Sequence, residues 1–285
     1  MTTNQARPTS RPQRGRDDVL VDAGWLREHL HDPGIRLVEV DVTAAAYDTG
    51  HIDGAVLWNV YTDLKDAHYV TVDAGSFEQL VRRSGISADS IVVFYGYAAA
   101  MGLWLLELFG HRDARVLDCS REEWLAAGGT LTRATAPIAV TGYLLGAESD
   151  LIRADLARVE SAIDDPTVAL VDVRSDAEFR GDAFWPSGGA EPGGRAGHVP
   201  TATHVPLDSL QDERGRFVDA AALRRAFAQL DLSGAGPVIT YCTIGGRAST
   251  AWFALTHLLG RPGVAVYDGS WAVGGRTAAT PVARC

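Results

Sequence analysis

The feature that most constrains this fold is an internal repeat at an offset of about 150 residues. Four ordered matches carry the repeat: 35–41 with 168–173, 50–55 with 197–202, 90–96 with 237–242, and 115–119 with 265–269. His51 and His198, which follow glycine in the second match, are 147 positions apart. Repeats in solenoid proteins are only about 20–50 residues long. The offset therefore predicts that a whole domain is duplicated within the 285 residues.

Each half alternates short apolar runs with helical patterns. The apolar runs predict buried parallel strands at 37–40, 91–95 and 114–117 and, in the second half, at 168–173, 237–241 and 263–267. Asp22 is expected to cap a helix over 23–31, and Ser76 one over 77–84. An apolar stripe over 251–259 predicts a further helix after Cys242. The alternation predicts an α/β protein of two domains, each a parallel sheet with helices on both faces.

The repeat and the local composition also set the domain limits. We expect a disordered basic tail (1–18), a first domain (19–130), a linker rich in Thr, Ala, Pro and Gly (131–150), a second domain (151–276) and a short tail (277–285). A glycine-rich segment that contains Trp185 interrupts the second domain at 181–197. A loop of this length is either functional or a tolerated surface insertion, and the sequence leaves both open.

Composition excludes several classes of function. With 26 Lys and Arg against 36 Asp and Glu, the net charge of −10 disfavours nucleic acid and anionic membranes as partners. No apolar run reaches membrane-spanning length and no secretory signal precedes the first domain, so we expect a cytoplasmic protein. Cys119, Cys242 and Cys285 form no CxxC pair, so neither disulfides nor a metal site is expected. The single lysine, Lys65, lies outside any phosphate-binding loop.

The run 242–247 (Cys-Thr-Ile-Gly-Gly-Arg) is the strongest candidate site. It connects a predicted strand to a predicted helix, so backbone N–H groups and a helix N-terminus converge on one point. Its two glycines allow a tight turn, and Arg247 adds a permanent positive charge. These features favour a reactive thiolate at Cys242. The alternative is that Cys242 is a small buried apolar residue at a strand end.

This loop, the two Gly-His motifs, 171–174 (Val-Asp-Val-Arg) and 267–271 (Tyr-Asp-Gly-Ser-Trp) together resemble tandem-domain rhodaneses, the thiosulfate sulfurtransferase family. The Cys-x-Ile-Gly-x-Arg loop is similar to the actinobacterial type, and the resemblance covers roughly 19–276. It implies a first domain that is catalytically silent, with Gly96 at the position paired with Cys242. It also implies that Cys242 takes the outer sulfur of thiosulfate as a persulfide. The reaction that the resemblance implies releases sulfite and passes the sulfur to cyanide or a thiol, without a metal or organic cofactor.

The resemblance also assigns roles around the cysteine. Arg247 is expected to bind the substrate sulfonate together with the loop residues Thr243, Ile244, Gly245 and Gly246. Asp172 and Arg174 resemble a structural ion pair that supports the loop. His51 either faces the cleft as a proton relay or ties a loop to the sheet, and the second interpretation is favoured because both halves keep the motif.

Two departures bear on the sulfur donor. Thr243 stands where similar loops often carry a second cation, and Glu178 stands where animal-type enzymes have a second substrate-binding arginine. The missing cation at Thr243 predicts weaker binding of the thiosulfate dianion, and both departures leave the preferred donor open. The alternatives are a 3-mercaptopyruvate sulfurtransferase, whose usual Cys-Gly-Ser/Thr-Gly loop is not matched, and a persulfide carrier that serves a protein acceptor. A related phosphatase would need Cys-x5-Arg, one residue more than the spacing here.

Overall fold

The computed structural model describes residues 15–135, 137–234 and 236–285. The predicted tail 1–18 therefore lies outside the described residues up to position 14, and its last residues already belong to a helical turn. The first domain contains α1 (Arg16–Val19), β1 (Leu20–Val21), α2 (Ala23–His29), β2 (Ile35–Asp41), α3 (Ala45–Thr49), β3 (His51–Ile52), β4 (Val56–Asn59), α4 (Ala74–Arg83), β5 (Ile91–Tyr95), α5 (Ala99–Leu108), β6 (Ala114–Leu117), α6 (Arg121–Ala126) and β7 (Leu131–Thr132).

The second domain repeats this order of elements, but its described residues form no equivalents of α1, β3 and β7. It contains β8 (Arg153–Ala154), α7 (Leu156–Ile163), β9 (Ala169–Asp172), α8 (Asp176–Arg180), β10 (Thr203–His204), α9 (Ala220–Ala226), β11 (Val238–Tyr241), α10 (Gly246–Phe253), β12 (Val264–Tyr267) and α11 (Ser270–Gly274). Helix α10 continues as a π-helical segment over Ala254–Leu258. None of the described helices has the length and apolarity needed to cross a membrane.

The two five-stranded sheets have the same topology. The first has the order β1-β6-β5-β2-β4 and the second β8-β12-β11-β9-β10, and all neighbouring strands are parallel. Every strand of one sheet has its counterpart at the same place in the other. This identity confirms the predicted duplication and the α/β fold class.

Side chains of each strand alternate between the two faces of the sheet, and a hydrophobic core covers each face. In β5, Val92 and Phe94 enter a core that also contains α4 and α5, whereas Val93 and Tyr95 pack on the other face near α2 and α6. The first of these cores continues without a break into α9 and α10 of the second domain. Helix α5 lies at this junction, and all its residues except Glu107 are buried. A helix that is apolar on every side fits only such a position.

Several predicted boundaries shift in the structure. Asp22 caps α2 as expected, with its carboxylate accepting the Trp25 N–H at 2.7 Å. The cap of α4 is Asp73 rather than Ser76, because the Asp73 carboxylate accepts the N–H of Ser76 at 3.1 Å and the helix begins earlier.

The segments predicted as linker and C-terminal tail pack on the domains. Thr141 donates its N–H to the carbonyl of Arg82 at 3.1 Å, so the linker runs along the first domain. In the segment 277–285, Ala283 forms a two-way bridge with His198 and Thr280 is buried. Cys285, the last residue, is exposed.

Candidate active site

Cys242 follows β11 directly, at the carboxyl end of a central strand of the second sheet. Its side chain is 1% exposed, and its Sγ accepts the N–H of Gly245 at 3.1 Å. Gly245 has a φ of +95°, which turns the chain back and lets α10 begin at the next residue. A side chain there would be strained and would meet the carbonyl oxygen of Asp268 at 2.9 Å. The turn therefore directs a backbone donor and a helix N-terminus at the sulfur.

A cavity of about 200 Å³ opens beside the sulfur, between the two domains. The second domain contributes four loop residues besides Cys242, namely Thr243, Ile244, Gly246 and Arg247. The first domain contributes Val42, Val60, Tyr61, Tyr97 and Ala98. Trp185 and Pro186 complete the lining, so part of the irregular segment 181–197 forms a wall of this cavity.

The Arg247 guanidinium is paired with the Glu178 carboxylate. Arg247 donates to both Glu178 oxygens at 2.8 Å, and the Thr243 hydroxyl donates to Glu178 Oε1 at 2.6 Å. Burial acts to raise the pKa of Glu178, but the hydrogen bonds and charge of Arg247 outweigh it and lower that pKa to about 2. Glu178 is therefore ionised at neutral pH. Its negative charge compensates the positive charge of Arg247, which the sequence analysis expected to bind an anionic substrate.

Asp172 and Arg174 form a fully buried ion pair beneath the loop. Arg174 donates to Asp172 Oδ2 at 2.6 Å and to the Gly197 carbonyl at 2.8 Å, and its guanidinium lies over the Trp271 ring at 4.8 Å. Arg174 is not among the residues that line the cavity, and it ties β9 to the Gly-His motif.

The first domain builds the same connection with a different arginine. Glu39 occupies the register position of Asp172, since each pairs across the sheet with the last tyrosine of the neighbouring central strand. Arg121, from α6, donates to Glu39 Oε1 at 2.5 Å and also to the Gly50 carbonyl. The charge pair is thus retained in both halves, while the element that supplies the arginine differs.

The structure places His51 away from the cavity. Its ring is buried, stacks on Tyr47 at 3.7 Å and has its Nδ1 3.0 Å from the carbonyl of Tyr47. His198 repeats this arrangement, with Nδ1 2.7 Å from the Phe179 carbonyl and a stacked ring at 3.8 Å. Both imidazoles therefore lie within hydrogen-bonding distance of a carbonyl of their own domain.

Sequence reasoning missed residues that support the loop from behind. The Ser270 hydroxyl accepts the N–H of Cys242 at 3.1 Å, and it donates to the Tyr267 carbonyl at 2.7 Å. Lys65, from the first domain, donates from Nζ to the Asp268 carbonyl at 2.7 Å. The only signal for Lys65 in the sequence was that it is the single lysine of the chain.

The equivalent edge of the first domain has no comparable nucleophile. A cavity of about 340 Å³ lies there, lined by Gly96 and Cys119 among others. Burial and the neighbouring carboxylates of Glu123 and Asp118 raise the pKa of Cys119 to about 12, so its thiol is neutral. Within the described ranges, no group of three or more His, Cys, Asp and Glu side chains is placed to hold a metal ion.

Comparison with known proteins places these features in a family. A family model described as a rhodanese-like domain matches residues 22–127 and 155–273. The "Putative thiosulfate sulfurtransferase SseA" of Mycobacterium bovis is 39% identical over 270 residues, which cover 92% of this chain and 90% of that protein. The "Sulfur carrier protein TtuD" of Thermus thermophilus is 35% identical over 276 residues, covering 94% of this chain and 97% of that protein.

A solved structure shares the fold. SseA from Escherichia coli, described as a 3-mercaptopyruvate sulfotransferase, superposes with a TM-score of 0.76 at 24% identity, covering 88% of this chain and 98% of that chain. The two family matches coincide with the two sheets described above and confirm the resemblance to tandem-domain rhodaneses. The chain therefore belongs to the rhodanese-like family, as a sulfurtransferase built from two rhodanese-like domains.

Proposed function

We propose that this sulfurtransferase moves the outer sulfur of thiosulfate, through a persulfide on Cys242, to cyanide or a thiol acceptor. One observation carries the proposal: the Cys242 sulfur accepts the Gly245 N–H at 3.1 Å, beside a cavity that Arg247 also lines. The name of the relative from Mycobacterium bovis supports thiosulfate as the donor.

In the first step, the Cys242 thiolate attacks the outer sulfur of thiosulfate. A bond forms between Sγ and that sulfur, and the bond to the sulfonate sulfur breaks with its electron pair, so sulfite leaves. The thiolate and the persulfide each carry one negative charge. The Gly245 N–H and the positive end of α10 stabilise that charge before and after transfer.

In the second step, cyanide or a thiolate attacks the terminal sulfur of the persulfide. A bond to the acceptor forms and the sulfur–sulfur bond to Cys242 breaks, which regenerates the thiolate. This is covalent catalysis in two displacements, and no proton has to be stored between them. The absence of a proton-transfer step agrees with His51, whose ring lies outside the cavity lining.

The Arg247–Glu178 pair favours a second donor, 3-mercaptopyruvate. Thiosulfate has two negative charges and the keto acid has one, so the ionised Glu178 opposes thiosulfate more strongly. The third candidate, a persulfide carrier for a protein acceptor, has support in the name of the relative from Thermus thermophilus.

Steady-state kinetics with both donors test the proposal, with sulfite and pyruvate measured separately. We expect sulfite release with thiosulfate and one added sulfur atom on the intact protein. Cys242→Ser should abolish both signals, whereas Cys119→Ser should keep them because that thiol is neutral and lies in the other cavity. Pyruvate release without sulfite would replace thiosulfate by 3-mercaptopyruvate. A persulfide that turns over only with a protein acceptor would favour the carrier.

A further inference from the structure

The two domains contact each other through a pair of equivalent hairpins, one from each domain. In the first domain, Lys65 and Thr71 form an antiparallel bridge, and the Thr71 N–H donates to Asp268 Oδ2 of the second domain at 3.1 Å. In the second domain, Gln211 and Phe217 form the matching bridge, and the Phe217 N–H donates to Asp118 Oδ1 of the first domain at 2.9 Å. Lys65 is therefore the counterpart of Gln211.

The two hairpins differ in charge at this position, and the charged residue is on the side of the reactive cysteine. The hairpin that reaches the Cys242 loop carries a lysine, whereas the hairpin that reaches the silent domain carries a neutral glutamine. Lys65 is 3% exposed, so its ammonium group is removed from solvent. A buried lysine is rare because desolvation disfavours its charge.

The position of the Lys65 ammonium relates it to the reactive sulfur. A Cβ atom built on Gly245 would lie 3.3 Å from Lys65 Nζ, and the N–H of the same glycine donates to Cys242 Sγ at 3.1 Å. The Gly245 turn thus lies next to both the sulfur and the ammonium. Lys65 does not line the cavity, so it can act on the sulfur only through this turn and by its charge.

Four charged or titratable groups face Lys65. The pKa of Lys65 is lowered, mainly by burial and also by Arg153, whereas Asp268, Cys242 and Asp66 act to raise it. Asp268 is itself shared with Arg153, at 3.1 Å. A thiolate at Cys242 therefore favours the ammonium form of Lys65, and by linkage the ammonium form favours the thiolate equally.

We propose that Lys65, contributed by the silent domain, is a positioning residue whose positive charge stabilises the anionic thiolate and persulfide of Cys242 across the Gly245 turn. The inference for the persulfide rests on the proposed function. The inference for the thiolate does not, because it concerns the free cysteine. Arg247 is held by Glu178, so Lys65 provides a second cation near the loop, where the sequence offered only Thr243.

Alkylation by iodoacetamide tests the inference without any sulfur donor. The pH profile of the second-order rate constant is measured in a Cys119→Ser, Cys285→Ser background, so that Cys242 is the thiol that reacts. Lys65→Gln introduces the residue found at the equivalent position, Gln211, of the other hairpin. It should move the midpoint upward by about one pH unit, so that alkylation below the midpoint becomes about tenfold slower. Lys65→Arg should restore the native midpoint. Gln211→Met, the matched change on the other hairpin, should leave it in place.

Thermal unfolding separates this role from a purely structural one. A lower melting temperature of Lys65→Gln with an unchanged alkylation midpoint would show that Lys65 only joins the domains, and it would overturn the inference. An upward shift that Lys65→Arg also shows would overturn it too, since charge would then not be the cause. If the enzyme fails to use thiosulfate while the midpoint shifts as expected, the proposed donor is wrong and the role of Lys65 stands.

Discussion

Replacing Glu178 by Gln should increase the preference of the enzyme for thiosulfate over 3-mercaptopyruvate. Glu178 is fully buried and bound to Arg247 through two contacts of 2.8 Å, so its negative charge stands directly behind the cation that an anionic donor would approach. Gln keeps the size of the side chain and an oxygen for the Ser175 N–H, which Glu178 now accepts at 3.1 Å. The change therefore removes a charge and leaves a similar shape.

The magnitude follows from Coulomb's law. For a carboxylate about 6 Å from a bound sulfonate, each unit charge pair is worth about 3 kcal/mol at an effective dielectric constant near 20, and about 0.7 kcal/mol in bulk water. The cavity lies between these limits, so about 1.4 kcal/mol per extra unit of donor charge is reasonable. Thiosulfate exceeds 3-mercaptopyruvate by one unit, and the ratio of the two kcat/KM values should rise about tenfold.

The assay compares kcat/KM for both donors in native protein, Glu178→Gln and Glu123→Gln. Glu123 is a suitable control because it also accepts the N–H of a helix-capping serine, Ser120, at 3.0 Å, but from α6 and outside the cavity of Cys242. Glu123→Gln should leave the ratio unchanged. An unchanged or smaller ratio in Glu178→Gln would refute the reasoning, because Glu178 would then serve only to orient Arg247.

Three further predictions concern the same loop. Arg247→Ala should raise KM for thiosulfate at least tenfold and, by leaving Glu178 buried without its partner, lower the unfolding free energy by about 3–5 kcal/mol in denaturant titrations. Gly245→Ala should cost about 1–3 kcal/mol at its φ of +95° and slow alkylation of Cys242, whereas Gly34→Ala, with no atom within 4 Å, should do neither. Because the pKa of Glu178 lies at about 2 instead of 4.5, its contribution to stability, about 3 kcal/mol at most, is complete above pH 4.5. The difference in unfolding free energy between native protein and Glu178→Gln should shrink as the pH falls from 4.5 to 2.

The repeat made the two-domain architecture predictable, because each copy contains the same order of predicted strands and helices as the other. The central strands β2, β5, β9 and β11 are short apolar runs with polar neighbours, and the sequence located them to within two residues or so. The edge strands β1, β4, β8 and β10 were not predicted. β4 has four residues and the others have two, and such short segments carry little periodicity of their own.

The part of the candidate site that was predictable consists of residues close together in the sequence. Cys242, Gly245 and Arg247 lie in one run of six residues, and a strand–turn–helix connection brings local groups together without help from the rest of the chain. Lys65 was not predictable, since its contact with Asp268 spans 203 positions and depends on how the domains dock. Glu178 was noted as a departure, but its pairing with Arg247 spans 69 positions and required the structure.

The backbone explains why the first domain supports the site and does not duplicate it. Gly96, the counterpart of Cys242, has a φ of +94°, and a Cβ atom there would lie 2.9 Å from the Val40 carbonyl oxygen. That carbonyl is held by the Ala98 N–H at 2.9 Å, so the loop folds back onto β2 and leaves no room for a thiol. The next residue, Tyr97, instead lines the cavity of Cys242. The loop that has no room for a nucleophile in its own domain therefore supplies, through Tyr97, part of the wall of the candidate site in the other domain.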